Sequence, residues 1–115
     1  MAWTAWQYRE VYDELYASCD KDTQRSLLVR LDRLLMLGNQ AKRPVCAPLR
    51  DGIFELRAKK VRLLFYFRPG QQMIFVVGLI KDTNAVPSGD IDRAVDIRSG
   101  LASGMESVRG ITNTH

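Results

Sequence analysis

The sequence predicts an α+β domain in which an N-terminal helical hairpin packs on a small, mostly antiparallel twisted sheet, followed by a short C-terminal helix. Three observations lead there. Apolar residues from Tyr8 to Leu37 recur at helical spacing, three strand-like segments follow Pro48, and a second helical pattern runs from Asp90 to Leu101.

Val11, Leu15 and Cys19 mark the first short helix. Leu27, Leu28, Leu31, Leu34 and Leu35 mark the second, with Asp20 or Asp22 as N-cap and Gly38 as the stop. An extra edge strand is expected near Trp3 to Gln7. Residues 39–48, with Asn39-Gln40, Pro44 and Pro48, break periodicity and read as a connector too short to separate two cores. The strands are Ile53 to Ala58, Val61 to Arg68 and Gln71 to Ile80, and Pro69-Gly70 suits a type II turn between the last two. The last two strands are apolar at nearly every position, so they should be central and covered by helices on at least one face. Leu27, Leu31, Leu34, Phe54, Leu56, Leu63, Phe65 and Phe67 form the expected core. In the final helix Ile91, Ala94, Val95, Arg98 and Leu101 share helical intervals. Residues 1–101 therefore form one expected domain and residues 102–115, which lose periodicity, a loose tail.

With 115 residues and 46% hydrophobic content, the chain suffices for one domain with a real core. No 18-residue apolar span exists, and the N-terminus lacks a basic region followed by an apolar one, so a cytoplasmic protein with no membrane association is expected. Cys19 and Cys46 lie apart and no histidine or carboxylate cluster joins them, so they read as reduced packing residues, with no metal and no cofactor expected. The only histidine, His115, is the last residue, which argues against histidine-based nuclease chemistry.

Charge is concentrated. Residues 42–68 hold Lys42, Arg43, Arg50, Arg57, Lys59, Lys60, Arg62 and Arg68 against only Asp51 and Glu55, a net +6 in a chain whose total is +4. A basic sheet surface presented to a polyanion, most simply a nucleic acid, is one reading. If the first hairpin turns symmetrically about Lys59-Lys60, Arg57 faces Arg62 and Glu55 faces Leu64, and like charges at paired positions make most sense around an external anion. A second hairpin centred on Pro69-Gly70 pairs Arg62 with Val77 and puts Lys81 on the same face, with Tyr66 and Arg68 farther along. Arg50, Lys59, Lys60 and Arg68 are then candidate nucleic-acid-binding cations. The other reading is an ordinary solvated surface on which Glu55 neutralises Arg57 and Lys59-Lys60 is a soluble turn.

Pro48-Leu49-Arg50-Asp51-Gly52-Ile53-Phe54-Glu55-Leu56-Arg57, then Val61-Arg62-Leu63-Leu64-Phe65-Tyr66, then Gly78-Leu79-Ile80-Lys81-Asp82-Thr83, resembles the RelE/ParE superfamily of bacterial toxins, nearest its HigB-like, phage-derived branch. The resemblance spans roughly residues 5 to 101 and rests on Leu-x-x-Gly-x-x-Glu-Leu-Arg followed closely by an arginine inside an apolar strand. It implies the toxin of a type II toxin–antitoxin system. The activity implied is an endoribonuclease cutting mRNA, commonly on the ribosome, and the partner is a cognate antitoxin encoded beside it. Arg57 and Arg62 take the motif's basic positions and Lys81 the first of its usual lysine pair. The chain departs from that pattern at Val77, where many relatives have histidine, at Leu79, and at Asp82 in place of the second lysine. For such chemistry Glu55 could accept a proton, or Lys81 if neighbouring arginines disfavour its charged form, while Tyr66 could orient a base or donate to the leaving group; the arginines supply only charge and hydrogen bonds. The alternatives are a ParE-like toxin that binds a protein such as gyrase and a degenerate homologue that keeps only antitoxin binding.

Overall fold

The structure is a computed structural model and describes residues 2–81, 85–102 and 108–111. Its elements are β1 (Thr4–Tyr8), α1 (Val11–Ala17), α2 (Lys21–Leu37), β2 (Cys46–Pro48), β3 (Phe54–Ala58), β4 (Val61–Arg68), β5 (Gln72–Ile80), α3 (Ser88–Leu101) and β6 (Val108–Gly110). The six strands form one sheet in the order β2-β3-β4-β5-β1-β6. All neighbours are antiparallel except β1 and β5, which run parallel. The predicted α+β class holds. The strand expected near Trp3 is present, but it sits between β5 and β6 rather than at an edge. Where a loose tail was expected, Val108–Gly110 pairs with β1.

The helix ends follow their residues. Asp20 caps α2 by accepting from the Thr23 amide at 2.8 Å. Gly38 ends it at φ +57, and a Cβ there would run into the Trp3 indole, so both the positive φ and the indole demand glycine. Tyr12, Leu27, Leu31 and Leu34 bury completely against Leu56, Leu63, Phe65, Met73 and Phe75. Phe54 and Phe67 lie at the rim of this core, half-buried. Cys46 is buried and Cys19 half-buried, both as free thiols.

The opposite face of the sheet is covered as well. Ile91, Ala94 and Leu101 of α3 share one buried cluster with Ile53, Leu64, Tyr66, Ile74, Val76 and Val77. Helices on both faces explain why β4 and β5 are apolar at almost every position. The face expected to be open is therefore divided, its far half under α3 and its half nearest the β3–β4 turn left for charged residues.

Candidate nucleic-acid interface

Arg57 is the partner of Arg62, and Glu55 of Leu64, across β3 and β4, as the symmetric turn requires. Lys59 accepts a left-handed φ of 54° to make that turn, a conformation unfavourable for a lysine. Arg62 helps hold it: its Nη1 reaches back to donate to the Lys59 carbonyl at 2.6 Å and the Val61 carbonyl at 2.9 Å.

Glu55 Oε1 lies 3.3 Å from Arg57 Nε and 3.8 Å from Arg62 Nε, so one carboxylate serves two facing guanidiniums. Glu55 and Arg62 are each only 4% exposed. Burial lowers the Arg62 pKa, the Arg57 charge lowers it further, and Glu55 opposes both. Neither Glu55 Oε1 nor Arg62 Nε completes a hydrogen bond, so the cluster keeps unused polar capacity in a buried place. Arg57 is the member that reaches outward, with 29% of its side chain exposed.

The other predicted residues scatter. Arg62 partners Leu79, not Val77 as expected, which leaves Lys81 two positions farther along, about 7 Å. Lys81 is tied by its backbone, its amide donating to the Lys60 carbonyl at 2.8 Å. Asp82 and Thr83 lie outside the described residues. Val77 is buried beneath α3 as a packing residue. Tyr66 is 6% exposed under the same helix, with the Arg98 guanidinium 5.9 Å from its ring centre. Burial raises its hydroxyl pKa, and Arg68 and Arg98 partly offset this. Arg50 turns away from the cluster and pins the loop before β3 to α3, bonding Asp92 Oδ1 at 2.6 Å, Asp51 Oδ2 at 2.7 Å and the Ser88 hydroxyl at 2.9 Å. Lys59 and Lys60 are exposed, and Arg68 is half-exposed at the far end of β4.

Sequence reasoning missed two cations. A cleft of about 300 Å³ beside the edge strand β2 is lined by Arg30, Arg43, Arg57 and Lys59 with Pro44, Cys46 and Ala47. No carboxylate is among the described residues that line it. The Arg30 guanidinium donates to the Pro44 carbonyl and so bridges α2 to the wall of the cleft. Arg30 carried no signal in the sequence, because it is one of several charges on a helix. Arg43 belonged to the basic run without any indication of where it would point.

The family described as phage derived protein Gp49-like (DUF891) matches residues 14–99, from α1 through nearly all of α3. Comparison with curated proteins finds no match.

Proposed function

The chain belongs to the phage-derived Gp49-like family, and from that premise we propose that it is the toxin of a type II toxin–antitoxin pair, an endoribonuclease that cuts mRNA and is held in check by a cognate antitoxin. The observation that carries this reading is the Arg57–Glu55–Arg62 cluster. Two facing arginines sharing one buried, incompletely bonded carboxylate stabilise a fold poorly, since well-packed apolar residues would commonly do as well or better. Such an arrangement makes sense where its outermost member must meet an anion.

In this reading Arg57 binds the scissile phosphate and stabilises the charge that develops when the 2′-oxygen, its proton passed to water, bonds to phosphorus and the bond to the 5′-oxygen breaks, leaving a 2′,3′-cyclic phosphate and a 5′-hydroxyl protonated by water. Arg62 and Glu55 are positioning residues that fix the Arg57 guanidinium and the turn beneath it. Lys81 supplies a further cation at the end of β5. Glu55 and Tyr66 are both buried in the isolated chain, so neither can exchange protons freely with a bound strand. Catalysis then leans on positioning and charge, with the ribosome supplying the remaining contacts.

The test is induction without antitoxin, with growth followed and new RNA 5′ ends mapped. Arg57→Ala should remove about 2–4 kcal/mol of transition-state stabilisation, a loss of roughly 10²–10³ in cleavage. Arg57→Lys should recover little if the planar fork matters. Arrest that persists without RNA cuts in the unaltered chain would reject the nuclease.

One observation favours a protein-binding toxin instead. Val29 and Met36, seven residues apart on one face of α2, are 61% and 77% exposed. That reading predicts that Met36→Lys abolishes arrest while Arg57→Ala leaves it intact.

A further inference from the structure

We infer that the cleft lined by Arg30, Arg43, Arg57 and Lys59 is a sequence-independent seat for the backbone phosphates of a single RNA strand, so that it sets affinity for RNA without choosing where it is cut. The inference deepens the ribonuclease reading and rests on it.

Four cations converge on one concave surface, and no carboxylate is among the described residues that line it. Ordinary surfaces intersperse the two signs, and several cations of this chain outside the cleft follow that habit: Arg25 lies 3.5 Å from Asp22, Arg93 3.3 Å from Asp90, Arg109 3.3 Å from Glu10. Two of the three guanidiniums in the cleft are already held, Arg30 on the Pro44 carbonyl and Arg57 on Glu55. Holding them beforehand lowers the side-chain entropy lost when an anion binds. Neither bond neutralises the cleft, because the Pro44 carbonyl carries no charge and the Glu55 carboxylate is shared with Arg62.

What is missing from the lining determines the type of recognition. Pro44, Cys46 and Ala47 form the remainder of the described lining, which offers no aromatic ring for a base to stack on and no Asn or Gln to read a base edge. A cleft with only cations and small apolar groups can bind phosphate and seat sugar, and phosphate contacts carry no sequence information. At about 300 Å³ the cleft is at the small end of ligand-sized sites, suited to one strand rather than to a duplex. Arg57 belongs to both the cleft and the Glu55 cluster, which would lead a strand held in the cleft directly to the proposed reacting centre.

The probe is a 2′-O-methyl RNA oligonucleotide, which cannot be cut, in two unrelated sequences, with binding to the full chain measured between 50 and 200 mM salt, a range over which phosphate contacts weaken steeply. Arg43→Gln should weaken binding roughly five- to tenfold, equally for both sequences, and lower the slope of log K against log salt by about 0.7, the contribution of one phosphate contact to a single strand. Arg43→Lys should restore most of the affinity. Lys59→Gln is the second variant, and Arg25→Gln, outside the cleft, should change affinity less than twofold.

Four outcomes overturn the inference: no RNA binding by the unaltered chain, unchanged binding in both cleft variants, a loss that differs between the two sequences, or an equal loss in Arg25→Gln. Loss of antitoxin binding with RNA binding unchanged would also overturn it and assign the cleft to an acidic protein segment. Arg43-dependent binding in a chain that cuts no RNA supports the cleft and removes only the nuclease.

Discussion

At the scale of single residues, the most consequential group is Glu55. It lies between Arg57 and Arg62, and all three are brought together by strand pairing. Glu55→Gln keeps the volume and removes the charge, leaving two guanidiniums face to face with one of them buried. We expect a loss of about 3–5 kcal/mol in chemical denaturation, the range found when one member of a buried ion cluster is removed. The double variant Glu55→Gln/Arg62→Met should recover much of it, because the buried charge leaves with its partner. A single variant as stable as the parent would mean that the cluster is open to water. Arg62 was expected on a basic sheet surface presented to a polyanion. It is in fact buried and hydrogen-bonded to two turn carbonyls, so its replacement acts on stability as well as on any activity.

At the scale of elements, local rules worked where neighbours in sequence decide the outcome. A cap at Asp20 or Asp22 and Gly38 as stop could be read from composition and spacing, while the symmetric Lys59-Lys60 turn was an assumption that the pairing of Arg57 with Arg62 bears out. The register of β4 on β5 could not, and the reason is specific. The turn holds three residues instead of two, with Gln71 added at φ 58°, and the pairing slips by one more at Leu64/Phe65, where Val76 is the extra residue. Each departure alone would reverse the faces. Together they move the partner of Arg62 from Val77 to Leu79, which restores the expected face and brings Lys81 nearer than the simple hairpin allowed. The same accounting explains why Val76 and Val77 both reach the α3 side. For α2, the apolar spacing translated directly into burial, so Leu31→Ala should cost about 2–5 kcal/mol, read from the shift in denaturation midpoint. A loss below about 0.5 kcal/mol, the scale of an exposed site, would put that helix face elsewhere.

For the whole molecule, the features invisible in the sequence depend on distant segments meeting. The covering of the second face by α3, the strand β6 and the cationic cleft each need partners from different parts of the chain. Ile91, Ala94 and Leu101 announced an amphipathic helix, but helical period says nothing about which sheet face receives it. Arg30 and Arg43 meet Arg57 only because α2 lies across the sheet beside the short edge strand β2. β1 matters most to the assembly, since it supplies pairing to both β5 and β6. Deleting residues 2–9 should abolish cooperative unfolding, monitored by circular dichroism, whereas loss of a dispensable edge strand would merely lower the midpoint.

The parallel pairing of Thr4 with Gln72 also imposes an order in time. During synthesis β1 leaves the ribosome long before β5 exists, so an interior strand of the sheet must wait, unpaired, for nearly seventy further residues. The hairpin that carries Glu55, Arg57 and Arg62 is complete before β5, but the sheet beneath it is not. Long-range parallel pairing of this kind is intrinsically slow. A nascent chain therefore reaches its finished sheet only after most of its length has been made, and its proposed cutting site stays unsupported while β5 is still being assembled.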